Sequence, residues 1–381
     1  MNNRFTGLLV LCMALSVTAT LVYAAAGTRS VNCSGASTLT DALDKAQPGD
    51  TVRISGTCTE TVKITKDRIT LDGQGLGVLD GGGAEGGSFA GVVVIDGARG
   101  VTVRGLTIQH GLNGIASSGG AAFEVRDSLL QNHAGAGIQA GAGSTMELTN
   151  VMMQHNGTGL NVLGASSVIF GGRIVASHNT GNGIFAGGAS LLEIRGAAIQ
   201  ASNNGFNGLV IDGAHAVIFG FPESQGSSVI ANDNGNAGVG IPNGILEDAG
   251  LGPNTISAER NGSFGVFLPV GGTIDSPFNA SNFNVTDNPI GMYFGLGSKA
   301  IIHGGLTIQN NKVAGVLADA ADVINVNAVP VPIPPNPSSI TGNGTDVDLR
   351  FGSRSIFGNA LVVGVMRCDK TVLSRCTTVC P

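Results

Sequence analysis

Residues 137–156 read GIQAGAGSTMELTNVMMQHN, and residues 159–179 repeat the same pattern as GLNVLGASSVIFGGRIVASHN. Each copy begins with Gly and an aliphatic residue, crosses a small Gly/Ala turn and a pair of aliphatic residues, and ends on Asn. Seven such copies follow one another from residue 137 to residue 311, and they begin 22–30 residues apart. A repeat of this length indicates a short structural unit that is stacked many times.

Apolar residues alternate within each copy, as expected for strands. Ile138 is followed two positions later by Ala140, and Leu306 and Ile308 form a second apolar pair in a later copy. A period of two is typical of a β-strand with one buried face. The spacing leaves no room for a useful α-helix, and the signatures of leucine-rich repeats and of the calcium-binding nonapeptide are absent. The sequence therefore predicts an all-β fold, a β-helix.

The Asn that ends each copy has a structural explanation. Equivalent positions of stacked coils lie about 4.8 Å apart. Asn tolerates a left-handed turn conformation, and stacked Asn amides can form hydrogen bonds along the axis. We therefore predict a structural ladder formed by Asn156, Asn179, Asn204, Asn234, Asn261, Asn288 and Asn311.

The composition fits one elongated and weakly charged protein. The chain has 381 residues, of which 61 are Gly and only 12% are charged. This suits tight turns between short buried strands. The formal net charge is −6 and no Lys/Arg cluster is present, which argues against nucleic acid or an anionic membrane as a partner.

The N-terminus has the pattern of a secretory signal peptide. Arg4 supplies a positive charge, residues 8–21 are mostly apolar, and small residues around Ala24 and Ala26 offer a cleavage site. Residues 1–26 are therefore predicted to be the signal peptide of a secreted protein, extracellular or periplasmic, without a membrane span after cleavage. The alternative is an uncleaved membrane anchor.

Five cysteines remain after that cleavage, and they lie at the two ends of the chain. In a secreted protein such cysteines form disulfides, and we predict a bridge between Cys33 and Cys58. At the other end one pair is predicted among Cys368, Cys376 and Cys380, and the third is free or pairs between chains. A Cys₃ metal site is the alternative, but no His lies nearby, and no metal site is predicted.

Turn signals divide the mature chain into segments. Residues 38–46 have a helical pattern that stops at the turn 47–50. A helix ahead of stacked strands would cover the open first coil. The predicted segments are an N-terminal cap 27–60, a β-helix 61–328, a Pro-rich loop 329–338, and a last coil with a Cys-rich C-terminal cap 339–381.

The chain resembles the right-handed parallel β-helix proteins of the pectin-lyase-like superfamily. The resemblance rests on the Asn-ended coils and on the opening ALDKAQPGDTVRISGTCTETV at residues 42–62, followed by ITLDG at 69–73. It covers nearly all of the mature chain. It implies a single-stranded right-handed parallel β-helix of about ten coils, with a short N-terminal capping helix and a disulfide-bearing C-terminal cap.

The resemblance does not identify an activity. This fold hosts lyases, glycosidases, esterases, epimerases, adhesins and phage tailspikes. Neither the polygalacturonase motif set nor the Asp-Pro-His-Glu motif of alginate epimerases occurs in the sequence. No catalytic residue is therefore carried over from either family.

The column of residues before the ladder Asn contains the candidate catalytic groups. It places Asp233, Arg260 and Asp287 on three consecutive coils, with the guanidinium expected between the two carboxylates. β-Helix lyases use acidic residues to bind Ca²⁺ and a base to remove the proton beside a uronate carboxylate. Together with Glu259, these residues could bind metal, exchange protons or hold substrate. The alternative is a solvated salt-bridge ladder that contributes little to stability.

Four of the six histidines lie in or beside the same column on neighbouring coils, namely His110, His133, His155 and His178. Neutral imidazoles can bind Zn²⁺. However, Asn132 interrupts the column, and successive residues of a strand point in opposite directions. A hydrogen-bonded polar ladder is therefore the preferred interpretation.

A third column faces outward, one position after the aliphatic residues that follow Gly. It contains Phe185, Phe267 and Tyr293, and aromatic side chains on the solvent side of a sheet favour a ligand or partner. We predict that these three residues bind substrate in a groove shared with the Asp–Arg column. The alternative is that inserted loops of the long coils between residues 207 and 290 cover them.

These observations favour a secreted protein that binds a polysaccharide or a cell-surface component, without an assigned catalytic activity. The chain has no Trp and only two Tyr, whereas sugar-binding subsites usually use aromatic platforms. The alternative is a polysaccharide lyase or glycosidase that acts on an acidic polysaccharide in a groove near coils 207–290. No cofactor is predicted for the binding protein, and Ca²⁺ is expected only for a lyase.

Overall fold

The structure is a computed structural model. It describes residues 26–35, 38–84, 90–220, 226–250, 253–276, 282–325, 338–357, 361–369, 371 and 373–375. Residues 1–25 of the predicted signal peptide, residues 329–337 of the predicted Pro-rich loop, Cys376 and Cys380 lie outside the described residues. The interpretations of these segments therefore stay predictions.

The described residues wind into a parallel β-solenoid of about 12 turns. Each regular turn contributes strands to three faces, and neighbouring turns pair in parallel, as Ile138 does with Ile115 and Leu160. Face 1 consists of Val62–Ile64, Gly91–Asp96, Asn113–Ser118, Ala136–Ala140, Thr158–Val162, Ile184–Gly187, Leu209–Asp212, Ala237–Gly240, Phe264–Val270, Ile290–Leu296, Ala314–Asp319, Val347–Arg350 and Met366–Cys368.

Faces 2 and 3 belong to one continuous sheet because five long strands bend through both. These long strands are Thr70–Ala84, Arg99–Gly111, Ala122–Gln131, Thr145–Gln154 and Ser167–Ser177. The other strands of face 2 are Thr28–Asn32, Thr51–Ser55, Leu191–Arg195, His215–Phe219, Ile245–Asp248, Thr273–Ser276, Lys299–Ile302, Asp322–Asn325, Arg354–Phe357 and Leu373–Arg375. The other strands of face 3 are Thr57–Thr59, Ala198–Gln200, Ser228–Ile230, Thr255–Glu259, Asn282–Thr286, Gly305–Gln309, Ser338–Thr341 and Leu361–Val363.

One short helix, Leu39–Lys45, lies against the first coil. The Thr38 side chain caps its N-terminus, and the Lys66 ammonium donates to carbonyls of its last turn at 2.7–2.9 Å. Leu39 and Leu43 are buried and join the core of the stack. The helix therefore covers apolar groups that the first coil would otherwise expose.

The core is a stack of inward-facing aliphatic side chains. Ile115, Ile138 and Leu160 are fully buried and lie at equivalent positions of three successive coils. One coil has too few apolar residues to enclose a core alone, so each depends on its neighbours for burial. The predicted period-two alternation, with the aliphatic residue after Gly facing inward, is confirmed.

The predicted Asn ladder is also confirmed, at the corner where face 3 leads into face 1. Each Asn accepts a backbone hydrogen bond from the preceding rung, as Asn204 Oδ1 does from Asn179 N–H at 3.1 Å. The Asn204 amide nitrogen donates to the Ala176 carbonyl at 3.0 Å. The ladder ends on a carboxylate, because Asp346 accepts the Asn343 N–H at 2.9 Å.

His133 takes the place of Asn in this ladder. Its backbone N–H donates to Asn156 Oδ1 at 3.0 Å. Its Nδ1 accepts the Gly111 N–H at 3.2 Å, so Nε2 carries the proton and donates to the Ile108 carbonyl at 3.0 Å. The residue is only 3% exposed, and burial lowers the pKa of His133 from 6.5 to about 4.

We expect His133 to make the protein less stable in mild acid. The unfolded imidazole takes up a proton below pH 6.5, whereas the folded one resists protonation until about pH 4. The stability is therefore fully present above pH 6.5 and falls between pH 6.5 and 4, by about 3 kcal/mol in total. His133→Asn, which continues the Asn ladder, is expected to lose this dependence. Denaturant unfolding of both proteins at several pH values measures it, and equal pH dependence would contradict the prediction.

The stack is longer than the predicted ten or so coils. It begins at Thr28–Asn32, within the predicted N-terminal cap. This strand precedes the helix in sequence and pairs with Thr51–Ser55, which follows the helix. From Ser338–Thr341 onward the chain passes through all three faces twice. The predicted count of about ten coils is therefore slightly low, because the stack extends into both predicted caps.

The predicted bridge between Cys33 and Cys58 is confirmed, with their Cα atoms 4.9 Å apart. It joins the strand Thr57–Thr59 to the segment that follows Thr28–Asn32. Cys368 is also disulfide-bonded, and the choice of its partner stays a prediction.

Candidate functional site

The column with the candidate catalytic groups is a row of left-handed turn residues. At the corner between faces 3 and 1, the residue before each ladder position has a positive φ, which is 52–60° for the non-Gly residues and 72° for Gly342. Asn, Asp and His are the non-Gly residues that most often adopt this conformation. Turn geometry thus explains every residue type in the column except Arg260. The non-Gly residues of the column are His110, Asn132, His155, His178, Asn203, Asp233, Arg260, Asp287 and Asn310.

Arg260 forms a two-pronged ion pair with Asp233. Its Nε and Nη2 donate to the two carboxylate oxygens at 2.8 and 2.9 Å, and Nη1 donates to Glu259 at 3.0 Å. Among the described residues, Asp287 has no ion pair within 4.0 Å. The structure therefore brings together Asp233 and Arg260 but does not place the guanidinium between two aspartates.

These charges are largely solvated. The side chains of Arg260 and Asp233 are 51% and 38% exposed, and such pairs contribute about 0–1 kcal/mol. Asp233, and to a lesser extent Glu259, raises the pKa of Arg260. A substrate carboxylate would have to compete with Asp233 for the same edge of the guanidinium. The geometry is that of a surface ion pair, and a catalytic role for these residues stays a prediction.

Three aromatic rings form a cluster on the outer surface of face 1, here called the aromatic patch: Phe264, Phe267 and Tyr293. Phe267 and Tyr293 are partners on neighbouring strands with ring centroids 5.6 Å apart. Phe264 lies 4.3 Å from Phe267 and 5.7 Å from Tyr293. All three residues are half-buried. The sequence interpretation missed Phe264 because it precedes the Gly of the repeat, outside the period-two column.

Phe185 belongs to the same outward column but not to the patch. Val210 and Gly240 separate it from Phe267, so the two aromatic residues lie three strand spacings apart, roughly 14 Å. The Phe185 ring lies over Gly187 in its own strand. The structure thus brings together two of the three predicted substrate-binding residues.

Polar groups border the patch on its C-terminal side. Burial, and then the nearby Asp319 carboxylate, raises the pKa of Tyr293, which keeps its hydroxyl protonated. Arg350 pairs with Asp319 in the strand register and forms an ion pair with Asp348 at 2.5 Å. Asp348 and Arg350 were not predicted as site residues from the sequence, because they follow the Pro-rich segment that interrupts the repeat.

The extra residues of the long coils belong to connections between described strands. They fall between a strand of face 2 and a strand of face 3, as between His215–Phe219 and Ser228–Ile230. The aromatic patch lies on face 1. Because residues 221–225, 251–252 and 277–281 of these connections lie outside the described residues, the alternative that inserted loops cover the patch stays a prediction. A recess of about 510 Å³ lies on face 2, and its outward-facing lining includes Thr102, Glu124, Thr145, Glu147, Ser167 and Ile169.

The four clustered histidines have three different environments. His133 is the buried ladder rung, and His110 Nδ1 lies 2.9 Å from the Asp80 carboxylate. His155 and His178 are exposed, and their ring centroids lie 5.5 Å apart. Within the part of the chain that the structure describes, no group of three or more His, Cys, Asp or Glu is placed to hold a metal ion. No described helix is long and apolar enough to cross a membrane.

Comparison with known proteins identifies the fold. No protein-family model matches the chain, and no curated protein matches it significantly. The A-module of mannuronan C-5 epimerase AlgE6 from Azotobacter vinelandii is 17% identical, with 87% of this chain and 93% of that module covered and a TM-score of 0.53. The enzymatically active domain of bacteriophage CBA120 tailspike protein 2 is 11% identical, with 88% and 51% covered and a TM-score of 0.50. The chain therefore has the right-handed parallel β-helix fold that its repeats and its resemblance predict.

Proposed function

We propose that this is a secreted glycan-binding protein whose binding surface is the aromatic patch. The observation that carries the proposal is the cluster of Phe264, Phe267 and Tyr293, whose ring centroids lie 4.3–5.7 Å apart on the outer face of a rigid strand stack. Clustered aromatic side chains on a solvent-facing sheet are typical of a binding surface. The apolar C–H face of a sugar ring can pack on such rings.

The polar border of the patch suits a sugar ligand. The Tyr293 hydroxyl can donate to or accept from a sugar hydroxyl, and the Asp319 and Asp348 carboxylates are acceptors. The Arg350 guanidinium retains donors beyond its bond to Asp348. An apolar platform with a few convergent polar groups is the usual arrangement of a small-molecule site.

Binding is favoured over catalysis because the Asp–Arg column is explained without a reaction. Its aspartates occupy left-handed turns, and the Arg260 guanidinium is engaged by Asp233 and Glu259. The epimerase module is named for mannuronan, and an acidic polysaccharide is accordingly the first ligand to test. The alternative activity, a lyase or glycosidase, is tested in the same screen by following unsaturated and reducing-end products with and without Ca²⁺.

Phe267→Ala is expected to weaken binding to the glycan that the wild-type protein selects on a glycan array by about tenfold. The variant removes the ring that stacks on both other members of the patch, and a central aromatic contact is worth roughly 1–2 kcal/mol. Isothermal titration calorimetry on the selected glycan measures the change.

Phe185→Ala is the matched control, because this residue lies in the same column but outside the patch. Its affinity is expected to stay close to that of the wild-type protein. Unchanged affinity in Phe267→Ala would reject the aromatic patch as the binding surface. Product formation that Asp233→Ala abolishes would favour the enzyme alternative over a binding protein.

A further inference from the structure

Two histidines stand side by side on the surface of the stack. His155 and His178 occupy the same left-handed turn position on consecutive coils, with φ values of 58° and 57°. Since the backbone conformation is the same, their Cα–Cβ bonds leave the corner in similar directions. Both side chains are exposed, and their ring centroids are 5.5 Å apart with a tilt of 35°.

The positions of the two residues are fixed by the ladder beneath them. His155 precedes Asn156 and His178 precedes Asn179, and the Asn156 N–H donates to Asn179 Oδ1 at 3.0 Å. Both Asn residues are buried. The two imidazoles are thus presented by rigid backbone, so that little backbone entropy is lost when a ligand bridges them.

Two other histidines on the surface, His110 and His215, lie beside carboxylates. His110 lies 2.9 Å from Asp80, and His215 Nε2 lies 2.9 Å from Glu247. No ion pair joins His155 or His178 to a carboxylate among the described residues. These two rings are therefore open to an external ligand in a way that His110 and His215 are not.

We propose that His155 and His178 together bind one divalent transition-metal ion. Neutral imidazole is a favoured ligand of Cu²⁺, Ni²⁺ and Zn²⁺. Two imidazoles a few ångströms apart can each offer one ring nitrogen to a shared ion, and water completes its coordination. Ca²⁺ and Mg²⁺ prefer oxygen ligands and are not expected to bind here.

The metal preference follows from the ligand set. A site with two nitrogen ligands and no geometric cage ranks divalent ions by intrinsic affinity, with Cu²⁺ above Ni²⁺ and Zn²⁺. The site is separate from the aromatic patch on face 1, so metal binding and glycan binding can be measured independently.

The test uses the mature protein without a polyhistidine tag. Cu²⁺ is titrated in, and electron paramagnetic resonance is expected to show nitrogen couplings from two imidazoles at one equivalent. Calorimetry with Ni²⁺ gives the affinity. His155→Asn and His178→Asn are each expected to weaken Ni²⁺ binding by about tenfold or more, since each removes a direct ligand.

Asn is chosen because it tolerates the left-handed turn and already occupies this column at Asn132 and Asn203. His110→Asn is the matched control and is expected to leave Ni²⁺ affinity unchanged. Circular dichroism confirms that each variant is folded. Binding that survives in the folded His155→Asn/His178→Asn double variant, or a wild-type protein that binds no Cu²⁺, would overturn the proposal.

Discussion

Asn234→Ala is expected to lower the free energy of unfolding by about 4 kcal/mol. Asn234 is 2% exposed and lies in the middle of the Asn ladder. Its Oδ1 accepts the backbone N–H of Asn204 at 3.0 Å and the side-chain amide of Asn204 at 3.0 Å. Its Nδ2 donates to the Ala201 carbonyl and to Asn261 Oδ1, both at 3.1 Å.

The expected loss of stability comes from the buried polar groups that lose their hydrogen-bond partner. After substitution, the Asn204 backbone N–H and the Ala201 carbonyl are buried without these partners, and each such group costs about 1–3 kcal/mol. The removed amide also leaves a small cavity between two coils. Because water cannot easily reach the interior of the stack, the penalty is not relieved by hydration.

Equilibrium unfolding in guanidinium chloride, followed by circular dichroism, measures the change. Asn161→Ala is the control. Asn161 lies on face 1, and its amide donates one hydrogen bond to Gln139 at 2.8 Å. Removing that partly exposed bond is expected to cost less than about 1 kcal/mol. Similar losses in the two variants would mean that the ladder is not a principal source of stability.

The sequence predicted the inward half of this molecule well. The aliphatic residues after Gly, such as Ile138, and the ladder residues, such as Asn204, make the same contacts in every coil. Because the same contacts recur in each coil, the same residue types recur at a regular spacing in the sequence. His133 shows the limit of prediction from the repeat. The sequence places this residue beside the column of turn residues, but it does not reveal the burial that keeps the imidazole neutral.

The outward half was harder to predict because side chains there are not constrained by the stack. The column alignment correctly placed Asp233 beside Arg260, but it gave no rotamers and so could not tell that Asp287 stands apart. Coil length revealed that residues are inserted between 207 and 290, but not at which corner. Phe264 was missed because Gly265, which is packed closely against the neighbouring coil, interrupts the period-two alternation of the strand. Phe264 therefore faces outward, although it lies two residues before the inward-facing Val266.

Gly238→Ala is expected to lower the free energy of unfolding by about 3 kcal/mol. A Cβ at this position would lie 2.6 Å from the Ala231 carbonyl oxygen, 2.8 Å from Ala258 Cβ and 2.8 Å from the Gly265 carbonyl oxygen. Two of these three contacts are with backbone that the strand ladder holds in place. Neighbouring coils would have to separate locally, and overpacking of this kind costs about 1–3 kcal/mol or more.

The same close approach explains why the repeat begins with Gly. At the equivalent position of nine coils, an added Cβ would meet its nearest heavy atom at 2.3–2.7 Å. These positions are Gly114, Gly137, Gly159, Gly183, Gly208, Gly238, Gly265, Gly291 and Gly315. The Gly of the motif is therefore required by the distance between coils rather than by a positive φ.

Gly240→Ala is the control for Gly238→Ala, because it lies two residues further along the same strand. Its φ is not in the left-handed region, and an added Cβ would lie 3.9 Å from Val210 Cγ2, an ordinary contact. This variant is expected to be neutral or up to about 1 kcal/mol more stable, since Ala restricts the unfolded chain. Thermal and denaturant unfolding compare the two variants. If both were equally tolerated, the coils would be able to move apart, and the tight inter-coil spacing could not be the reason for Gly in the repeat.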